Sequence, residues 1–267
     1  MAKTIGLKQL AAKKYSLVEG LDKEMANCIG VVEDAWDAII YGASGNGKSN
    51  FTAKLLITLI KALRCSCEYV AYEEGHAMTI QETFIHRHNM LEELGNTLKI
   101  TDHLSYEELD RRMAAQRAAK IWVIDSLQAA RFTEAQCAEL KRKYVLSRRK
   151  RILIYVSWAD GKTPKGAVAK SVEYYANIKL RVEGLVVFPK TRYEKDGVGN
   201  KRYVVYEPGA RAYWGDKYDS IVHGKKPPKT KKKKPPETPP EQAETVNKIQ
   251  ILPEEQPVFK TPLKELP

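Results

Sequence analysis

Apolar positions along the chain fall into two alternating patterns. Short runs rich in β-branched and aromatic residues cover 38–41, 68–72, 98–101, 121–125, 152–157, 178–182 and 185–188. Between them lie longer stretches whose apolar residues recur on one helical face, at 48–63, 79–94, 106–119 and 133–150, with a shorter one at 168–175. Strand-length runs alternating with helix-length stretches predict an α/β fold, a mostly parallel sheet flanked by crossover helices. The last runs follow one another too closely for helices. The sheet is therefore expected to end in an antiparallel meander, with a late strand pair at 202–206 and 212–214. Helices around 7–14 and 21–29 are expected ahead of the first strand, packed on the core or on a neighbouring subunit.

From residue 224 the pattern lapses. This segment holds 10 of the 13 prolines, a lysine run and a single aromatic residue, Phe259. Such a composition cannot offset the entropy of ordering. The expected organisation is a helical segment at 1–30, an α/β core at 31–223 and a disordered Lys/Pro/Glu-rich tail at 224–267. Of the net charge of +12, the tail's ten lysines and six glutamates account for +4, leaving +8 on the body. A basic body points to polyanions, meaning nucleotides, nucleic acid or both. The tail's run from Lys225 to Lys234 can add nonspecific, salt-sensitive nucleic-acid affinity. The apolar islands at 249–252 and 258–259 read either as a docking motif for a protein partner or as a functionless extension.

Other classes are disfavoured. No apolar run approaches the roughly 20 residues that cross a bilayer, and the N-terminus lacks a signal-type apolar core. Cys28, Cys65, Cys67 and Cys137 form no C-x-x-C pair, which argues against a disulfide framework or a zinc ribbon. A cytoplasmic protein without membrane partners is expected.

The most specific signal is Gly42-Ala43-Ser44-Gly45-Asn46-Gly47-Lys48-Ser49, a complete G-x-x-x-x-G-K-[ST] pattern between a predicted strand and a predicted helix, followed by Asn50. Glycines let successive backbone N–H groups turn inward, and with the helix N-terminus they form a cradle for phosphate oxygens. Lys48 would add charge at the β- and γ-phosphates, and the Ser49 hydroxyl would coordinate Mg²⁺, so ATP and Mg²⁺ are the expected cofactors. The run Ile121-Trp122-Val123-Ile124-Asp125 is a buried strand that delivers one carboxylate at its C-terminal end, where Asp125 can hold the Mg²⁺ shell. The strand at 68–72, expected beside the P-loop strand, ends in Glu73 and Glu74. A carboxylate there can polarise the water that attacks the γ-phosphate; Glu73 is the first choice of base and Glu74 the second.

These pieces, in this order, resemble the RecA-type ATPase superfamily, in particular its RadA and DnaB-like branch, over roughly residues 18–214. The resemblance implies a RecA-like core in which Glu73 is the catalytic glutamate. Asp125-Ser126 matches the Walker B ending, and Ser157, in the run from Ile154 to Gly161, matches a γ-phosphate sensor that precedes a DNA-facing loop. Lys190-Thr191-Arg192 is similar to a Lys-x-Arg element whose cations reach a nucleotide across a subunit boundary, which implies a homo-oligomeric ring or filament. No four-cysteine finger, protease-like domain or primase-recruiting domain accompanies the core. The implied form is the stand-alone core of phage or mobile-element type.

Lys162, Lys165 and Lys170 lie in and beside a Gly-containing loop after a sheet strand, where they can track a sugar-phosphate backbone. A second cluster, Lys141-Arg142-Lys143 with Arg148-Arg149-Lys150-Arg151, reads equally as phosphate contact or as a solvated helix end. His76, His86 and His88 read as surface residues, because two positions apart on a helix point to different faces. The expected function is an ATPase coupled to single-stranded DNA in recombination or replication. A DnaB-like helicase core and a nucleotide-switched DNA-binding or assembly protein are the alternatives.

Overall fold

A computed structural model describes residues 4–224. The polybasic run and the apolar islands of the expected tail lie outside the described residues. Among the described residues nine strands form the sheet: β1 (Asp37–Gly42), β2 (Cys67–Ala71), β3 (Leu98–Thr101), β4 (Ile121–Asp125), β5 (Ile152–Asp160), β6 (Thr163–Pro164), β7 (Ile178–Glu183), β8 (Val186–Thr191) and β9 (Tyr203–Val204). Their order is β3-β2-β4-β5-β1-β7-β8-β9, with β6 paired to β5 alone. Strands β3 to β7 in this order run parallel, while β7–β8 and β8–β9 are antiparallel. The α/β architecture with a closing antiparallel meander is as the hydrophobic pattern implies.

The order corrects one expectation. The strand that leads to Glu73 is not beside the P-loop strand, because β4 and β5 intervene between β2 and β1. Chain order does not dictate strand order when helical crossovers can span several positions.

Alternation along each strand sorts the core into two layers. Ala38 and Ile40 of β1 pack with the Lys48–Leu63 helix and with Met25, Cys28 and Ile29 of the Lys23–Ile29 helix. Ile39 and Tyr41 face the opposite layer, built on the Tyr106–Ala114, Glu134–Leu140 and Ala167–Tyr175 helices. The Leu7–Ala11 helix buries none of its residues.

Several predicted helices are shorter than their periodicity suggested. The stretch at 79–94 breaks into Met78–Gln81, a π-helical turn at Glu82–Arg87 and Met90–Leu94, with Asn89 between them at φ 49°. The stretch at 133–150 ends in a π-helical turn at Lys141–Val145. The predicted strand at 212–214 is instead part of the Glu207–Trp214 helix, where Pro208 in the first turn and the acid Glu207 outweigh the β-propensity of Tyr213 and Trp214.

Most of the cationic cluster at 141–151 is engaged in structural contacts. Arg149 bonds the Ala114 carbonyl, Arg151 bonds those of Ala118 and Ala115 at 2.8 and 3.3 Å, Lys143 pairs with Asp110 at 3.0 Å, and Lys150 pairs with Asp34 at 3.2 Å. Lys141 reaches furthest inward. Its Nζ donates to the fully buried Asp37 at 2.9 Å and to the Tyr175 carbonyl at 2.7 Å, while the Asn177 N–H donates to the same Asp37 carboxylate at 3.1 Å. This network anchors the first residue of β1. Lys141→Met would leave a buried carboxylate without its cation, and a urea unfolding series should show a loss of about 3–5 kcal/mol.

Candidate nucleotide site

Strand β1 ends at Gly42, where an added Cβ would stand 2.2 Å from the Val182 carbonyl oxygen, so no larger residue fits that crossing. The loop then turns back through Gly47, at φ 95° and packed under Leu185, into the N-terminus of the Lys48–Leu63 helix. Asn46 does not face the loop's interior. Its side-chain oxygen accepts from the Gly184 N–H at 2.7 Å and its carbonyl from the Leu185 N–H at 3.2 Å, which ties the loop to the β7–β8 turn. Lys48 folds back to donate to the Ala43 carbonyl at 3.1 Å.

The acids arrive from two other strands. Asp125 closes β4 and accepts a bond from the buried Tyr69 hydroxyl. Glu73 reaches the same place because the turn after β2 crosses the end of β4, its N–H donating to the Asp125 carbonyl at 3.2 Å. The Glu73 carboxylate accepts from the Trp158 indole N–H at 2.8 Å, and Glu74 accepts from the Thr79 hydroxyl. Together they bound a cavity of about 310 Å³. From the P-loop, Ser44, Gly45, Gly47, Lys48, Ser49 and Asn50 line it; opposite stand Glu73, Glu74 and Asp125, with Thr83, Arg87, Val156 and Trp158 completing the wall.

Electrostatics in this cavity are unbalanced. Burial pushes the Asp125 carboxyl up to about 6; the Tyr69 bond pulls it down, repulsion from Glu73 and Glu74 pushes it up, and Lys48 opposes them. Burial lowers Lys48, with Asp125 and Glu73 drawing it back up. Three carboxylates face the Lys48 ammonium and the Arg87 guanidinium, and the carboxylates are hard oxygen donors of the kind that fit Mg²⁺. Among the described residues no group of three His, Cys, Asp or Glu side chains could hold a metal ion unaided. An ion here would therefore share its ligands with phosphate and water, as Mg²⁺ does in nucleotide sites.

A second cavity of about 700 Å³ shares Gly45, Asn50 and Arg87 with the first and continues to Lys54, His88, Leu185, Val205 and Tyr206. Leu185, Val205 and Tyr206 give it an apolar flank, and His88 is held 2.9 Å from the Asn50 side-chain oxygen.

Other expected site residues lie elsewhere. Gly42, Ala43 and Asn46 shape the loop without lining the cavity. Ser157 is buried, donates to its neighbour's carbonyl and accepts from Gln128 at 2.9 Å; Val156 and Trp158 line the cavity on either side of it. Lys162, Lys165 and Lys170 are exposed at the same end of the sheet as the P-loop, since β5 is parallel to β1 with Trp158 opposite Gly42. Lys190 and Arg192 stand at the other end, where β7 begins opposite the start of β1, and cannot reach this chain's own site. Sequence reading gave no role to Trp158, Tyr69, Thr83 or Arg87. Alternation along β2 would have placed Tyr69 on an inner face, but nothing in the sequence marks Arg87.

No protein-family model and no curated protein matches the chain. Solved structures do. A KaiC-like protein, PH0186, from the hyperthermophilic archaeon Pyrococcus horikoshii OT3 matches 71% of this chain and 94% of its own at 18% identity and a TM-score of 0.51. The likeness shows a shared, RecA-like fold. The flagellar accessory protein FlaH from Methanocaldococcus jannaschii matches 70% of this chain and 91% of its own at 18% identity and a TM-score of 0.48. Among the described residues no helix is long and apolar enough to cross a membrane.

Because the Asp125 carboxyl titrates higher in the folded chain than its ordinary value of 3.8, its charge opposes folding above about pH 6, and that penalty fades as pH falls toward 4. Asp125→Asn should therefore raise the nucleotide-free unfolding midpoint by a few degrees at pH 7.5, a gain that shrinks toward pH 4, while weakening Mg²⁺-dependent nucleotide binding. Thermal scans across that pH range check it.

Proposed function

We propose that the chain binds ATP with Mg²⁺, hydrolyses it with Glu73 as general base, and couples the cycle to single-stranded DNA in recombination or replication. The observation that carries this reading is the convergence of Lys48, Ser49, Asp125 and Glu73, from three separate strand ends, on one cavity. Loop amides and the helix N-terminus receive the phosphates, and Lys48 neutralises their charge. Ser49 and Asp125 would hold Mg²⁺, which when bound supplies further neutralisation of the phosphate oxygens. Glu73 accepts a proton from the water that attacks the γ-phosphorus; the bond to the β–γ bridging oxygen breaks, and ADP and inorganic phosphate result. The apolar flank formed by Leu185, Val205 and Tyr206 receives the adenine.

Two features support the DNA and oligomer parts of the reading. Exposed Lys162, Lys165 and Lys170 offer phosphate contacts at the nucleotide end of the sheet. Lys190 and Arg192, exposed at the far end, are free to serve the nucleotide of a neighbour in a head-to-tail ring or filament.

Turnover of ATP with and without oligo(dT) tests this. Glu73→Gln should keep nucleotide binding and lose about 10²–10⁴-fold in turnover; nucleotide binding without turnover in the wild type would favour a nucleotide-driven switch instead. In sedimentation with an ATP analogue and oligo(dT), assemblies larger than a monomer are expected, and a persistent monomer would remove the role of Lys190 and Arg192 in trans.

A further inference from the structure

We propose that Trp158 is a positioning residue that ties Glu73 to the state of the basic hairpin β5–β6, so that a phosphate chain bound at Lys162 and Lys165 frees the base. The inference rests on the assignment of Glu73 as base. Trp158 is the residue of β5 opposite Gly42, at the point where the strand leaves the sheet to form the hairpin. Its backbone is fixed: the N–H donates to the Gln128 side-chain oxygen at 3.2 Å, and the carbonyl accepts from the Lys165 N–H at 2.9 Å. Gln128 also donates to Ser157 at 2.9 Å and to the Lys165 carbonyl at 2.7 Å, so one side chain clamps both strands of the hairpin stem.

The indole, 38% exposed, carries the adjustable contacts. Its N–H donates to a Glu73 carboxylate oxygen at 2.8 Å, and the Lys165 ammonium stands 5.5 Å from its ring centroid. An indole N–H is a donor only. It can hold the carboxylate and can take no proton from it, so it fixes the direction of the carboxylate and fills one of its acceptor sites. A cation over the ring draws electron density from the indole and strengthens that N–H as a donor, so the two contacts reinforce each other. A phosphodiester that recruits Lys165 offers it a charge-assisted bond stronger than an exposed cation–π contact. The ring then loses its cation, its hold on Glu73 weakens, and the carboxylate turns to the water.

ATP turnover by the full chain, with and without oligo(dT), separates this from a structural role. Trp158→Phe keeps a ring for Lys165 and removes the N–H. Its DNA-free kcat should rise about tenfold, the effect of losing one bond to a charged group, with KM for ATP unchanged and the ratio of stimulated to unstimulated rate collapsed. Lys165→Met, which leaves the core untouched, should also raise the DNA-free rate and provides the answer if Trp158→Phe does not fold. Equal loss of both rates, or an unchanged ratio, overturns the proposal. Emission from Trp158, taken as wild type minus Trp158→Phe or by its loss of response in Lys165→Met, should shift when oligo(dT) is added. A wild type that binds oligo(dT) with no such shift also overturns it, and a wild type that shows the shift but no ATP turnover refutes the assignment of Glu73 as base instead.

Discussion

The nucleotide end of the molecule depends on the parallel pairing of β5 with both β1 and β4. That pairing sets Gly42 opposite Trp158, Val156 opposite Asp125, and through β4 sets Asp125 opposite Ala71, two residues before Glu73. Because these strands are parallel, their C-terminal ends share one edge, and groups distant in sequence meet there. At the opposite edge the buried Asp37, held by Lys141 and Asn177, anchors the start of β1 between its two neighbours. A slip of one residue in β1 would expose that carboxylate to apolar surroundings and turn every side chain of the strand to the wrong layer.

The same edge concentrates charge that does not favour folding. Asp125 is partly desolvated and faces Glu73 and Glu74, and its ordinary acidity is lost as a result. Lys48 is desolvated as well, and its bond to the Ala43 carbonyl occupies a donor that phosphate would otherwise take. Such frustration is the expected mark of a ligand site: a bound anion and cation would supply the partners that the protein's own groups lack. By contrast, most of the cluster at 141–151, the densest in the described residues, is engaged internally at helix ends and in ion pairs.

The P-loop was legible because its residues are contiguous and its function needs only a strand, a turn and a helix in succession. Asp125 was legible as an acid that ends an apolar run. Glu73 was placed at the site, but by way of a wrong neighbour, since nothing local reveals that β4 and β5 insert between β2 and β1. Trp158 and Arg87 escaped notice because their roles arise from strand order and from a helix broken at Asn89, both tertiary outcomes. The helix at Glu207–Trp214 was misread because two aromatic residues outweighed the Glu-Pro start that sets its N-terminus. For the cationic cluster, sequence alone supports both readings equally, because the contacts of Arg149 and Arg151 with the carbonyls of Ala114, Ala115 and Ala118 are tertiary.

The central claim is that Glu73 is the base of a hydrolytic site and is restrained by Trp158 when the site lies idle. A crystal structure of the chain with ADP, aluminium fluoride, Mg²⁺ and oligo(dT) tests it most directly. The Glu73 carboxylate should lie about 2.6–3.2 Å from the in-line water and no longer be bonded to the indole. A water held by Glu74 or another group, with Glu73 still on Trp158, would contradict it.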